Sequence, residues 1–142
     1  MTIDDIKRVQ QQFLQGAKFA LEVATFDFVE IHGAHGYLLD HFVTDGTNKL
    51  DDEYGGSVEN RSKFLLEVVD LLSKQYPQRT AVRISPHTDA PTSRFWGSGD
   101  SNPDVTYSYV INQLAKVNEL AYILVTEPAN IFGDTDANVK SF

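Results

Sequence analysis

Residues 26–42 read Phe26-Asp27-Phe28-Val29-Glu30-Ile31-His32-Gly33-Ala34-His35-Gly36-Tyr37-Leu38-Leu39-Asp40-His41-Phe42. The first part, Phe26 to His32, is short, rich in bulky residues and stopped by Gly33, which predicts a β-strand. The second part sets His32 and His35 three apart, with Tyr37 two further on. Three hydrogen-bonding side chains therefore gather just past a strand's C-terminal end. In parallel α/β folds that end carries the chemistry. Histidine and tyrosine are ordinary acid–base groups.

Working outward, the flanking segments alternate in type. On the N-terminal side, residues 2–24 carry Ile3, Ile6, Val9, Phe13, Ala17, Ala20, Leu21 and Ala24 at helical spacing. Thr2 followed by Asp5 resembles a capping box, with Asp in place of Glu. On the C-terminal side, an irregular segment leads to the turn signal of residues 51–57 (DDEYGGS). A second helix is predicted over Glu59 to Gln75, with Phe64, Leu65, Val68, Val69 and Leu72 as its apolar face. Thr80 to Ser85 reads as a second strand, stopped by Pro86. A polar loop over 87–101 holds Phe95 and Trp96, either a lid over a pocket or simple packing. Asn102-Pro103 looks like an N-cap and first helical residue of a helix to about Leu120. Ala121 to Thr126 is the third strand, ended by Pro128, and residues 129–142 form a polar, irregular tail. The predicted order is α-β-α-β-α-β, an α/β fold with parallel strands.

The chain has 142 residues, no cysteine and a formal charge of −8. Length and composition fit one globular domain. The missing cysteines remove disulfides, cysteine nucleophiles and thiolate metal sites and are compatible with a cytoplasmic location. The acidic balance argues against nucleic acid. No apolar run approaches the roughly 18 residues of a membrane span. A start on a helix is unusual for a compact α/β domain and suggests that something precedes it.

Several residues have two readings at this point. His32 and His35 are acid–base or substrate-binding groups, a structural pair, or metal ligands with Asp40 and His41. If no metal is held, Asp40 and His41 are expected to face solvent or cap a turn. Arg83 lies mid-strand between Val82 and Ile84. A charge at that depth needs an anion or several acceptors; it either serves a ligand or pairs internally with a carboxylate such as Glu30. Tyr54-Gly55-Gly56-Ser57 with Glu59-Asn60-Arg61 could cradle a phosphate, but lacks the spacings of known phosphate loops and reads better as a structural turn.

Taken together, residues 26–42, 47–70 (TNKLDDEYGGSVENRSKFLLEVVD), 82–86 (VRISP) and 99–103 (GDSNP) resemble the old yellow enzyme family of FMN-dependent ene-reductases, in family order and spacing. The likeness covers nearly the whole chain and weakens after Pro128. Even residues 1–6 (MTIDDI) are similar to the start of that family's third barrel helix.

The resemblance implies a (β/α)8 TIM barrel of which residues 1–142 form one partial domain, the third helix through the sixth strand. It implies FMN as cofactor, NAD(P)H as reductant and a small enone or enal as substrate. His32 and His35 would donate hydrogen bonds to the substrate carbonyl. Tyr37 would be the proton donor. Arg83 would lie beside the flavin pyrimidine edge. These roles are physically coherent, since two preset N–H donors each contribute about 2–4 kcal/mol to stabilising a developing oxyanion. Leu50 departs from the basic residue usual in the family. The family's other strands, including those holding the FMN phosphate, are not expected in this chain, since such a barrel needs roughly 250 residues. The alternatives are a non-catalytic truncated or gene-model fragment unable to hold FMN alone, or a His-based metal-binding α/β domain. Three parallel strands also leave open edges that favour self-association.

Overall fold

Thr2 starts the first helix through the predicted box. Its Oγ1 accepts from the Asp5 N–H at 3.2 Å, and its own N–H donates to the Asp5 carboxylate at 3.1 Å. The computed structural model describes residues 1–86 and 100–126. Helix α1 spans Ile3–Lys18 and buries Ile6 and Ala17. It widens into a π-helical turn over Phe19–Val23, with Leu21 inward. Strand β1 is Val29–Gly33, so the predicted strand loses Phe26 to Phe28. The reason is a competing partner: Arg79 donates to the carbonyls of Asp27 at 3.0 Å and Phe26 at 2.6 Å. These acceptors are engaged by a side chain before strand pairing begins.

A short helix, α2 (Leu38–Val43), follows the His–Tyr loop and adds an element to the predicted order. Helix α3 is Val58–Gln75, capped by Ser57 Oγ, which accepts from the Asn60 N–H. Strand β2 is Thr80–Ile84. Helix α4 is Pro103–Leu114, capped by Asn102 with Pro103 in its first turn, and it stops six residues short of the expected Leu120. Strand β3 is Leu120–Val125. The tail 129–142 and loop residues 87–99, with Phe95 and Trp96, lie outside the described residues.

The sheet has the order β1-β2-β3, parallel throughout. Its central strand, β2, is the most buried, as its near-continuous apolar sequence requires. Alternation divides the side chains between two faces. Ile31, Val82 and Ile84 belong to a buried core with Phe64, Leu65, Val68 and Val69 of α3 and with Tyr107, Val110 and Leu114 of α4. Full burial of each large apolar side chain contributes roughly 1.5–3 kcal/mol. Helix α3 is the hub, packing on α1, α2, α4 and β2.

The glycine turn before α3 is structural. A Cβ on Gly55 would lie 2.0 Å from the Leu50 carbonyl oxygen. Asn48 Nδ2 ties the turn by donating to the carbonyls of Phe42 at 2.6 Å and Tyr54 at 2.7 Å. Buried Arg61 donates to the carbonyls of Val43 and Gly56, to Thr106 Oγ1 and to the Asp100 carboxylate. Its guanidinium is thus committed to the protein, which answers the phosphate-cradle alternative. Among the described residues, no helix is long and apolar enough to cross a membrane.

Candidate functional site

His32 and Arg83 are partners in the β1–β2 register, and Leu124 continues the row on β3. Partners in register project to the same side of a sheet. They lie on the face opposite Ile31 and Val82, near the strands' C-terminal ends. Past those ends, the chain turns sharply: His35 has φ 57° and Gly36 φ 69°. Left-handed backbone is easy for Gly36 and costs His35 about 1–2 kcal/mol, so it must be held. Two side chains hold it. The His35 N–H donates to Ser85 Oγ at 2.8 Å, just beyond β2. The Gly36 N–H donates to Asp40 Oδ2 at 2.7 Å.

The loop brings three rings together. The His32 and His35 ring centroids are 5.6 Å apart at an interplanar angle of 67°. The His32 and Tyr37 centroids are 5.2 Å apart at 59°. Both histidines are half-buried, and Tyr37 is 56 % exposed. Arg83 Nε donates to Thr126 Oγ1 at 3.0 Å, at the end of β3. The alternative of an internal pair between Arg83 and a carboxylate such as Glu30 is not what Glu30 does: it accepts from the Tyr122 hydroxyl at 3.1 Å. All four residues singled out in the sequence therefore sit at one end of the sheet.

Burial lowers the His35 pKa below the ordinary histidine value, and the positive Arg83 and neighbouring His32 lower it further. A neutral imidazole keeps one N–H to donate. His41 is exposed, whereas Asp40 is wholly buried. Asp40 does cap a turn, but from inside the protein rather than at the surface. Its second oxygen accepts from the Tyr107 hydroxyl of α4. Burial raises its pKa; the bonds from Tyr107 and Gly36, then His41 and His32, act the other way. Among the described residues no three His, Asp or Glu side chains gather as a metal site.

Ser85, Tyr107 and Thr126 are supporting residues that sequence reading did not assign. Ser85 and Thr126 could have been noticed as hydroxyls one residue beyond a strand's C-terminal end. Nothing local marks Tyr107 as the partner of a residue 67 positions away.

In parallel α/β folds active sites sit at the C-terminal end of the sheet, and here imidazole, phenol and guanidinium groups gather at that end. The chain belongs to the NADH:flavin oxidoreductase / NADH oxidase family, whose sequence model matches residues 1–138. It is 44 % identical over 129 residues to 12-oxophytodienoate reductase 2 of Arabidopsis thaliana, covering 90 % of this chain and 33 % of that one. Flavin oxidoreductase hxnT of Emericella nidulans is 40 % identical over 132 residues, covering 90 % and 32 %. Among solved structures, Old Yellow Enzyme from Pichia sp. AKU4542 superposes with a TM-score of 0.80 at 39 % identity, over 90 % of this chain and 34 % of that one. Morphinone reductase in complex with tetrahydroNAD gives 0.78 at 33 % identity, over 88 % and 33 %. The chain thus spans about a third of the relatives it matches, and its fold is the corresponding part of their TIM barrel.

Proposed function

We propose that the protein carrying this chain is an FMN-dependent ene-reductase that uses NAD(P)H to reduce the C=C bond of an α,β-unsaturated carbonyl compound. The observation that carries this reading is the cluster of His32, His35 and Tyr37 rings beside Arg83 in the register. Family membership supports it. So do the relatives: one is named for 12-oxophytodienoate, which joins a carbonyl to carbon–carbon double bonds, and one was solved with a nicotinamide analogue.

The donor set fits a flavin and an enone. A strand-borne guanidinium suits an electron-rich, anionic ring edge, so Arg83 is the residue of this chain to hold FMN. When bound, FMN in its reduced form supplies the hydride that reaches the substrate β-carbon. Negative charge then grows on the carbonyl oxygen, where His32 and His35 donate. Their positions are fixed before reaction, by the strand for His32 and the Ser85-anchored loop for His35. Preset donors stabilise that charge without reorganising. Tyr37, on the same loop, delivers a proton to the α-carbon.

A cytoplasmic location fits the cysteine-free sequence. Association of chains through the open sheet edges also belongs to this reading.

The test uses the FMN-loaded protein with Tyr37→Phe, followed by stopped-flow absorbance. Flavin reduction by NADPH should stay within about twofold, while alkene reduction slows by about 10²–10⁴-fold, the usual worth of a positioned acid. Equal losses in both half-reactions would contradict the role given to Tyr37.

A further inference from the structure

We infer that Asp40 is a positioning residue for Tyr37, acting with Tyr107 as a buried clamp on the Gly36–Tyr37 half of the catalytic loop. This rests on the role proposed above for Tyr37. Asp40 is wholly buried, yet one of its oxygens reaches back four residues to the Gly36 N–H at 2.7 Å. The other accepts from the Tyr107 hydroxyl, itself buried on α4. A carboxylate is costly to bury and is retained only where its bonds are satisfied. Here those bonds join the loop to a helix 67 residues away.

The division of labour is visible in the backbone. His35 is anchored separately, through its N–H to Ser85. Asp40 grips the next peptide, His35–Gly36, one residue before Tyr37. Two successive left-handed residues, His35 and Gly36, must be held for Tyr37 to leave the loop in its observed direction. Tyr37 then opens α2 as its N-cap, with its carbonyl accepting from the His41 N–H at 2.9 Å and no side-chain cap. The ring packs beside His32, and the backbone that presents it sets where it can reach. Asp40, one turn into that helix, fixes the backbone from inside. Its two hydrogen bonds go to the loop backbone and to α4, and His32 acts on it only through charge, so its hold on Tyr37 passes through the backbone.

The test is a double-mutant cycle on the FMN-loaded protein. Asp40→Ala removes the acceptor of the Gly36 N–H. It should slow alkene reduction by about 10–100-fold, the loss expected of an ångström-scale misplacement. In the Tyr37→Phe background the same change should cost no more than about twofold, because the group it positions is gone. Asp40→Asn should restore most of the rate. Its amide oxygen can accept from Gly36, while its NH2 donates to the Tyr107 oxygen. If Asp40→Ala fails to yield folded, flavin-loaded protein, the volume-conserving Tyr107→Phe takes its place in the cycle, with a smaller loss and the same non-additivity. Equal losses in both backgrounds, or an Asn variant as slow as Ala, would overturn the inference and leave the role of Tyr37 standing. Alkene reduction unaffected by Tyr37→Phe alone would overturn both.

Discussion

His35 illustrates how a single side chain carries the electrostatics of its surroundings. Burial disfavours its charged form first, and the positive Arg83 and the neighbouring His32 add to that. Its titration midpoint should therefore fall below the ordinary value of about 6.5. Removing the cation reverses one cause, so Arg83→Leu should move the midpoint upward. An NMR titration of the imidazole ring protons, parent against variant, measures this; an unchanged or lower midpoint would refute the coupling. The stability consequence has a definite sign. Between the lowered folded value and the unfolded value, the unfolded chain binds more protons. Stability therefore rises with pH across that window, and the penalty is complete below the folded midpoint. The functional consequence follows from the same balance: near neutral pH the group remains an N–H donor that suits an oxyanion developing during reaction.

Elements form here where local signals agree, and the disagreements have identifiable causes. The capping box of α1 was legible because Thr2 and Asp5 are three residues apart and both bonds are local. The Asn102-Pro103 start of α4 was legible for the same reason. Helix α2 was not: six residues are too few for a periodicity to declare itself, and Tyr37 gives no side-chain cap. The late start of β1 was also hidden, since it depends on Arg79 reaching across from beyond α3. The same limit governs the site. His32, His35, Tyr37 and Arg83 stood out by type and position, whereas Asp40 read as facing solvent or capping a turn, and only its buried place beside Tyr107 decides for the cap. Local bonds also make the start of α1 sensitive to acid. The Asp5 pKa is lowered to about 2 by its bonds to Arg8 and then Thr2. Its contribution is present above the unfolded value of about 4 and is lost as pH falls toward 2. Amide exchange in the first turn of α1 should therefore quicken over that range and become pH-insensitive in this respect in Asp5→Ala. Protection in the parent that stays constant from pH 4 to pH 2 would contradict the assignment.

At the scale of the whole molecule, the proposed association of chains turns on the two outer strands. Among the described residues, β1 and β3 are sheet edges, each with one neighbour. On β3, Tyr122, Leu124 and Val125 are between 41 % and 46 % exposed. Beside β1, an apolar groove of about 390 Å³ opens between strand and α1, lined by Val9, Phe13, Ala17, Val29, Ile31 and Leu72. Parallel sheets are ordinarily buried on both faces and closed or covered at their edges. A β3 edge of one copy and a β1 edge of another have the polarity to continue one parallel sheet, a head-to-tail contact that can propagate. Net charge works against it: at −8, copies repel at low salt, and screening relieves that repulsion. The 142-residue chain should therefore sediment with a mass that rises with concentration, and more steeply at 0.5 M salt, where the Debye length falls to about 4 Å. Tyr122→Lys places an edge lysine on β3 while giving Glu30 a cationic partner in place of the phenol, and should shift the distribution toward monomer. Sedimentation as one monomeric species at every concentration and salt, for parent and variant alike, would show that the edges of β1 and β3 do not recruit another copy.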